Sequence, residues 1–200
     1  SADFIRKGRV YNVDKMTQCL KNIRERMENQ LNCNIKQLYV ALNCQGMRST
    51  THLEERSFPQ RITVQQELIE SLKADNRDKI PQDQILIDTL PLEYTMGAFS
   101  TNEPVGVMSD RIRAQFLNII CNAVAIESIE SCFRKAGLPI VRHTMAADRL
   151  AGVMTGEQER STGCVFVDMG SETTTVAVYR GKLLRHFAVL PLGGLNITRD

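Results

Sequence analysis

Residues 163–200, GCVFVDMGSETTTVAVYRGKLLRHFAVLPLGGLNITRD, decide the fold, because here residue spacing points to chemistry as well as to packing. Residues 164–167 are a short apolar run ending on Asp168, and Gly170 opens a turn before Thr173, Thr174 and Thr175 lead into a second apolar run, 176–179. That is the pattern of a β-hairpin with a polar tip. Gly181-Lys182 predicts a second tight turn, residues 183–190 a third strand, and Pro191-Leu192-Gly193-Gly194 a close backbone approach before Asn196 or Thr198 caps a helix.

A tip of the form D-x-G-x-x-T-T can cradle phosphate. Gly170 turns the backbone without a Cβ in the ligand's way, successive N–H groups converge into an anion-binding nest, and threonine hydroxyls add donors. The Asp168 carboxylate would repel phosphate oxygens, so its job is to hold a magnesium ion, through one of that ion's waters. The candidate nucleotide-binding residues are Asp168, Gly170, Ser171, Thr173, Thr174, Gly193 and Gly194, with Asp168 as the magnesium position and no catalytic residue assigned. The same spacing also fits an ordinary three-stranded meander whose Asp and Gly serve turn chemistry alone.

The run from Val165 to Asp200 resembles the phosphate-binding hairpin that begins the second lobe of the actin, Hsp70 and hexokinase superfamily, and specifically that of FtsA-type bacterial cell-division proteins. The resemblance rests on the order strand, acidic turn, strand, G-K-L turn, strand, then P-L-G-G-x-x-I-T-x-D. Upstream, Leu38-Tyr39-Val40-Ala41-Leu42, Pro91-Leu92-Glu93-Tyr94, Pro104-Val105-Gly106-Val107 and Ala136-Gly137-Leu138 fall in the family's order and approximate spacing. Where many superfamily members carry D-x-G-G-G-T-T-D, this chain has Ser171-Glu172 for two glycines and Thr175 for the closing acid. Glu172 should weaken phosphate binding unless its side chain points away.

The resemblance implies an α/β fold: a partial actin-like (ribonuclease H-like) lobe, an inserted strand-helix-strand-strand (SHS2) α+β subdomain, and the first β-hairpin of a second lobe. On that reading residues 1–46 and 122–160 belong to the first lobe, 47–121 to the inserted subdomain and 161–200 to the second lobe. It further implies binding of ATP and magnesium between lobes, weakly or not at all by this stretch alone, with at most weak ATPase activity. By the same resemblance, the whole protein polymerises into actin-like protofilaments and links the FtsZ ring to the cytoplasmic membrane in cell division. Partners would be FtsZ, other division proteins and further copies of itself; the place would be the cytoplasm, at the inner face of the membrane at the division site. Two alternatives stay open, a PilM-like pilus-assembly adaptor and a kinase of the same superfamily with Glu172 or Asp148 as base.

Composition fits this class. A hydrophobic share of 42% with 24% charged residues is ordinary for a globular chain, and a formal net charge of +2 with no basic stripe argues against nucleic acid. No apolar run approaches bilayer length and the start of the chain has no signal-peptide pattern. The six cysteines, without any C-x-x-C pair, read as buried reduced thiols of a cytosolic protein, and His52, His143 and His186 lack metal-ligand spacing.

Along the rest of the chain, Ser1-Ala2 reads as a remnant of cloning, and the missing first strand and glycine turn suggest a piece of a longer protein. Asn12 should cap a packed helix whose stripe is Val13, Met16, Cys19, Leu20, Ile23, Met27 and Leu31. Residues 35–42 predict a strand covered on both faces, 47–53 a strand, 54–61 a loop, and Thr63 with Gln66 a capping box opening a helix. Residues 74–84 read as a connector, 85–90 and 93–100 as strands separated at Pro91, 101–110 as a loop and 111–121 as a half-exposed strand. Asn122 should cap a helix that Gly137 stops, followed by a strand at 138–144, a helix at 145–154, and a polar passage at 157–162.

Overall fold

The structure, a computed structural model, describes residues 4–198; Ser1, Ala2 and Asp200, which ends the P-L-G-G motif, lie outside them. A short hairpin, β1 (Ile5–Arg6) and β2 (Arg9–Val10), leads into α1 (Val13–Leu31). Asn12 caps that helix by accepting the Lys15 N–H at 3.0 Å. Only the first half of its predicted stripe is packed: Thr17 and Leu20 are buried, whereas Ile23, Met27 and Leu31 are exposed. The next strand, β3 (Leu38–Leu42), is shorter than residues 35–42 and not covered on both faces, since Tyr39 is 72% exposed.

Next comes β4 (Arg48–Thr63), which takes in residues 54–61, read from sequence as a loop. Charge misled there because the charged side chains have partners on the neighbouring helix end and strand. Glu54 points inward and meets Lys79 at 2.7 Å, while Glu55 faces Arg111 and Arg113. Pro59 falls where the register breaks between Ser57 and Ile62, so its missing N–H costs no ladder bond. Helix α2 (Gln66–Asp78) starts later than predicted and runs through residues 74–78 of the expected connector. Thr63 closes β4, and the capping box with Gln66 does not form.

The predicted break at Pro91 is instead a register shift inside one strand, β5 (Gln84–Met96), followed by β6 (Phe99–Thr101) and β7 (Met108–Asn122). β7 alternates at first, but residues 116–121 are buried on both faces rather than half-exposed. Asn122 then caps α3 (Ala123–Lys135), accepting the Ala125 N–H at 3.3 Å, and Gly137 stops it at φ +70°. β8 (Ile140–Met145) pairs in parallel with β3, from Leu38 opposite Ile140 to Leu42 opposite Met145.

α4 (Ala146–Met154) is followed by α5 (Glu157–Thr162), a helix where a polar passage was expected. The Glu159 carboxylate accepts the Gly156 N–H at 2.7 Å and so nucleates it. Three antiparallel strands, β9 (Cys164–Met169), β10 (Thr174–Arg180) and β11 (Leu183–Leu190), and α6 (Gly194–Thr198) complete the described chain. Asn196 and Thr198 lie inside α6 rather than capping it, because the helix begins at Gly194.

Seven strands form one sheet in the order β6-β5-β7-β4-β11-β10-β9, beside the two-stranded sheet β3-β8. The strands of residues 47–121 thus share a sheet with the hairpin, through a join one residue pair wide, Arg48 opposite Ala188. The Val189 N–H on the Met47 carbonyl at 2.9 Å buttresses it. One buried core passes beneath the join, with Leu42, Met47, Leu117, Ile126, Ala147 and Phe187 among its members, and a separate one packs α2 on the opposite face of β7.

Candidate nucleotide-binding site

The hairpin tip is built by its own backbone. The Gly170 N–H donates to the Thr173 carbonyl at 2.9 Å, closing the turn between β9 and β10. The carbonyls of Gly170 and Ser171 then accept the N–H groups of Gly194 and Leu195, both at 2.9 Å, so the first turn of α6 hangs on the tip. Gly193 is buried, and a Cβ on it would lie 2.6 Å from the Gly170 oxygen and from the Ser171 carbonyl carbon and oxygen. What the Pro-Leu-Gly-Gly segment approaches so closely is the hairpin tip itself.

All seven sequence-predicted positions therefore fall in one place. Thr174 donates its hydroxyl to the Leu192 carbonyl at 2.7 Å, and Gly193 donates its N–H to the Asn196 side chain at 3.0 Å. Those two, like Gly170 and Gly194, spend their donors on the protein. By contrast, the N–H groups of Ser171, Glu172 and Thr173 meet no protein acceptor among the described residues. Three successive unengaged N–H groups at a turn are the raw material of an anion nest.

The acidic groups sort themselves. Glu172 reaches back to accept the Lys7 N–H at 2.7 Å, so its charge is turned toward the β1–β2 hairpin. Asp168 stands opposite Thr175, which is fully buried and donates to the Asn43 side chain at 2.8 Å. Among the described residues no three His, Cys, Asp or Glu side chains converge to hold a metal. A single carboxylate still suits magnesium, which keeps most of its waters and relies on nucleotide phosphates for the rest. Asp148, the other candidate base, accepts the Tyr179 hydroxyl at 3.0 Å; burial first, then that carboxylate, pushes the phenol's pKa up.

Sequence reading missed a groove of about 820 Å³ between α2, β5 and β8, lined by Lys73, Arg77, Asp88 and Arg142 among others. Arg142 reaches Asp88 at 3.4 Å across 54 residues of sequence, and no local pattern announces such a meeting.

No family model matches the chain. In fold it is a mixed α/β protein similar to part of a solved structure of the PilM-PilN type IV pilus biogenesis complex, with a TM-score of 0.57 at 18% identity, over 100% of this chain and 54% of that one. In sequence the chain is FtsA-like. It is 29% identical to the cell division protein FtsA of Porphyromonas gingivalis over 98% of its own length, and 26% identical to that of Pseudomonas aeruginosa over 98%. It spans less than half of these curated relatives, 42% and 47% respectively. Among the described residues no helix is long and apolar enough to cross a membrane.

Proposed function

We propose that this chain is the nucleotide-facing and partner-facing part of an FtsA-like adaptor that, as a whole protein, binds Mg-ATP, polymerises and links the FtsZ ring to the cytoplasmic membrane during bacterial division. The observation that carries the reading is the meeting of the Gly170 turn with Gly193-Gly194, in a chain similar to FtsA over nearly its full length. In this reading residues 1–46 and 122–160 are the first lobe, residues 47–121 the inserted strand-helix-strand-strand subdomain, and residues 161–200 the start of the second lobe. The N–H groups of Ser171, Glu172 and Thr173 would receive phosphate, with the Thr173 hydroxyl beside them. Asp168 would hold a water of the magnesium ion, and Gly193 would keep the tip in shape. Magnesium supplies charge neutralisation of the polyphosphate when bound.

One phosphate hairpin is half of a clamp, so Mg-ATP should give this chain little or no thermal shift. A multi-degree stabilisation at sub-millimolar nucleotide would contradict the two-lobed clamp. Strand edges left open at β9 and β3 favour self-association, which light scattering measures. A second reading, a PilM-like pilus adaptor, is favoured by the superposition on the PilM-PilN complex. A fluorescent fusion of the encoding gene's whole product separates the two. A midcell ring that disappears on FtsZ depletion supports the division role, and ring-independent foci that follow the pilus machinery overturn it.

A further inference from the structure

Three buried members of the core beneath the join, Leu92 of β5, Tyr179 of β10 and Leu184 of β11, also line a small cavity of about 220 Å³. Its remaining lining includes three charged side chains, Asp148 of α4, Arg160 of α5 and Lys182 of the β10–β11 turn. The cavity thus lies where β5 meets the hairpin, and it has apolar walls and a charged rim. The end of α5 is latched to that rim by its backbone: the carbonyls of Arg160 and Ser161 accept the N–H groups of Lys182 and Gly181, each at 3.0 Å.

The three rim charges differ in what engages them. Asp148 accepts the Tyr179 hydroxyl at 3.0 Å, and Lys182 meets Glu157 at 3.0 Å in an exposed, solvent-screened pair. Arg160 makes no side-chain hydrogen bond or ion pair with any described residue, and its Nε is buried without a partner. A guanidinium N–H taken out of water and left unpaired is costly, and the planar fork of an arginine matches a carboxylate. Around the cavity two cations stand against one carboxylate, and that carboxylate is already held by a phenol. The combination suits a ligand with a negative head and an apolar body.

We propose that this cavity is a binding site for a small amphipathic monocarboxylate, with the head on Arg160 and the apolar body against Leu92 and Leu184. The volume, about 220 Å³, lies below the roughly 300 Å³ at which pockets for drug-sized ligands begin, so the ligand is smaller than those. Its place in the fold gives it a consequence. The direct join of β4 to β11 is one residue pair wide, and a ligand touching both β5 and β11 is a second bridge between the strands of residues 47–121 and the hairpin. Occupancy should therefore stiffen the hairpin against that sheet flank as well as fill the cavity.

Titrating the isotope-labelled chain with sodium octanoate, and following its amide resonances, tests this directly. Saturable shifts should centre on Leu92, Arg160 and Leu184, with slower amide exchange at Leu184 and a rise in Tm. Octanol and octylamine, which keep the tail and lose or invert the charge, should bind about tenfold more weakly or worse. Arg160→Gln should weaken octanoate by a similar factor while leaving the urea midpoint in place, since the side chain it replaces holds nothing in the protein. Arg160→Lys, which keeps the charge without the fork, should fall between the two. No saturable shift at millimolar octanoate would overturn the site. Equal binding of octanol or octylamine, or an Arg160→Gln affinity equal to wild type, would overturn the role of the charge. Shifts centred on the exposed Val165 and Val167 instead would mean adsorption to the bare face of β9 and would overturn the cavity as the place of binding.

Discussion

The two flanks of the seven-stranded sheet are written in the same residues and end in different surroundings. On β7, Ile112, Ala114 and Phe116 share a core with Ile69 and Leu72 of α2, while Leu117, Ile119 and Cys121 on the other face share one with Ile126 of α3 and Met145. On β9, Phe166 packs inward, but Val165, Val167 and Met169 on the opposite face are 60%, 52% and 61% exposed. An apolar run without alternation is made for cover on both faces, and β9 has it on one. Hydrophobic sequence alone therefore states what a strand can bury; the neighbouring layer decides what it does bury.

The largest test of this contrast is truncation on the two strands. Phe116→Ala should cost about 3–5 kcal/mol in urea unfolding, from lost transfer energy and an unfilled cavity, whereas Val167→Ala should stay within about 0.5 kcal/mol. Equal losses would erase the distinction. Next in size is the polar tie inside the well-covered flank, where Asn76 and Asn118 exchange hydrogen bonds at 2.8 and 2.7 Å and Thr89 donates to Asn118 at 3.0 Å. Both asparagines are fully buried. Asn118→Ala should cost about 1–3 kcal/mol by stranding the Asn76 amide, and Asn76→Ala combined with it should cost less than the two single changes together.

At the tip the analogous test is steric. Gly193→Ala places a methyl against backbone atoms that cannot swing away, so the Gly170 turn or the first turn of α6 must move. A loss of about 1–3 kcal/mol is expected, with faster amide exchange at Gly194 and Leu195. If both amides keep their protection, the tip and α6 are not the unit described.

Legibility followed the locality of the cause. The boundaries of β11, the Asn12 and Asn122 caps and the Gly137 stop were readable because each is fixed by residues a few positions apart. Residues 54–61 were misread because Glu54 and Glu55 look like loop chemistry until Lys79, Arg111 and Arg113 are brought opposite them. The seven candidate site positions could be assembled from their spacing, since the chain returns to the tip after two short turns. That the α6 amides are spent on Gly170 and Ser171 carbonyls could not be seen. Nor could the thin Arg48–Ala188 join, which depends on two segments 140 residues apart.

Self-association gives a finer comparison. Val167→Lys puts a charge on the bare face of the edge strand, and should reduce the apparent mass in light scattering with little change in unfolding. Ile119→Lys, on the covered strand, should instead unfold the chain, because an unpaired ammonium has no place in a fully buried position.

The smallest effect lies on α1, where the exposed end of the stripe is held by hydrogen bonds rather than packing. Glu28 accepts the Ile35 N–H at 2.8 Å and the Arg24 Nε at 3.0 Å, and these bonds, the backbone one first, hold its carboxyl below the ordinary 4.5. A carboxyl depressed by folding contributes stability that is complete above its unfolded pKa and is lost as pH falls through the lower folded value. The wild type should therefore exceed Glu28→Gln by a constant margin near neutrality, and the margin should shrink only below about pH 4.5. Amide exchange at Ile35 should report the same margin locally. Unchanged Ile35 protection in Glu28→Gln would mean that the Leu31–Leu38 connection is fixed by the Leu20, Cys132 and Leu138 cluster, and that packing reaches further along this helix than its exposed stripe indicates.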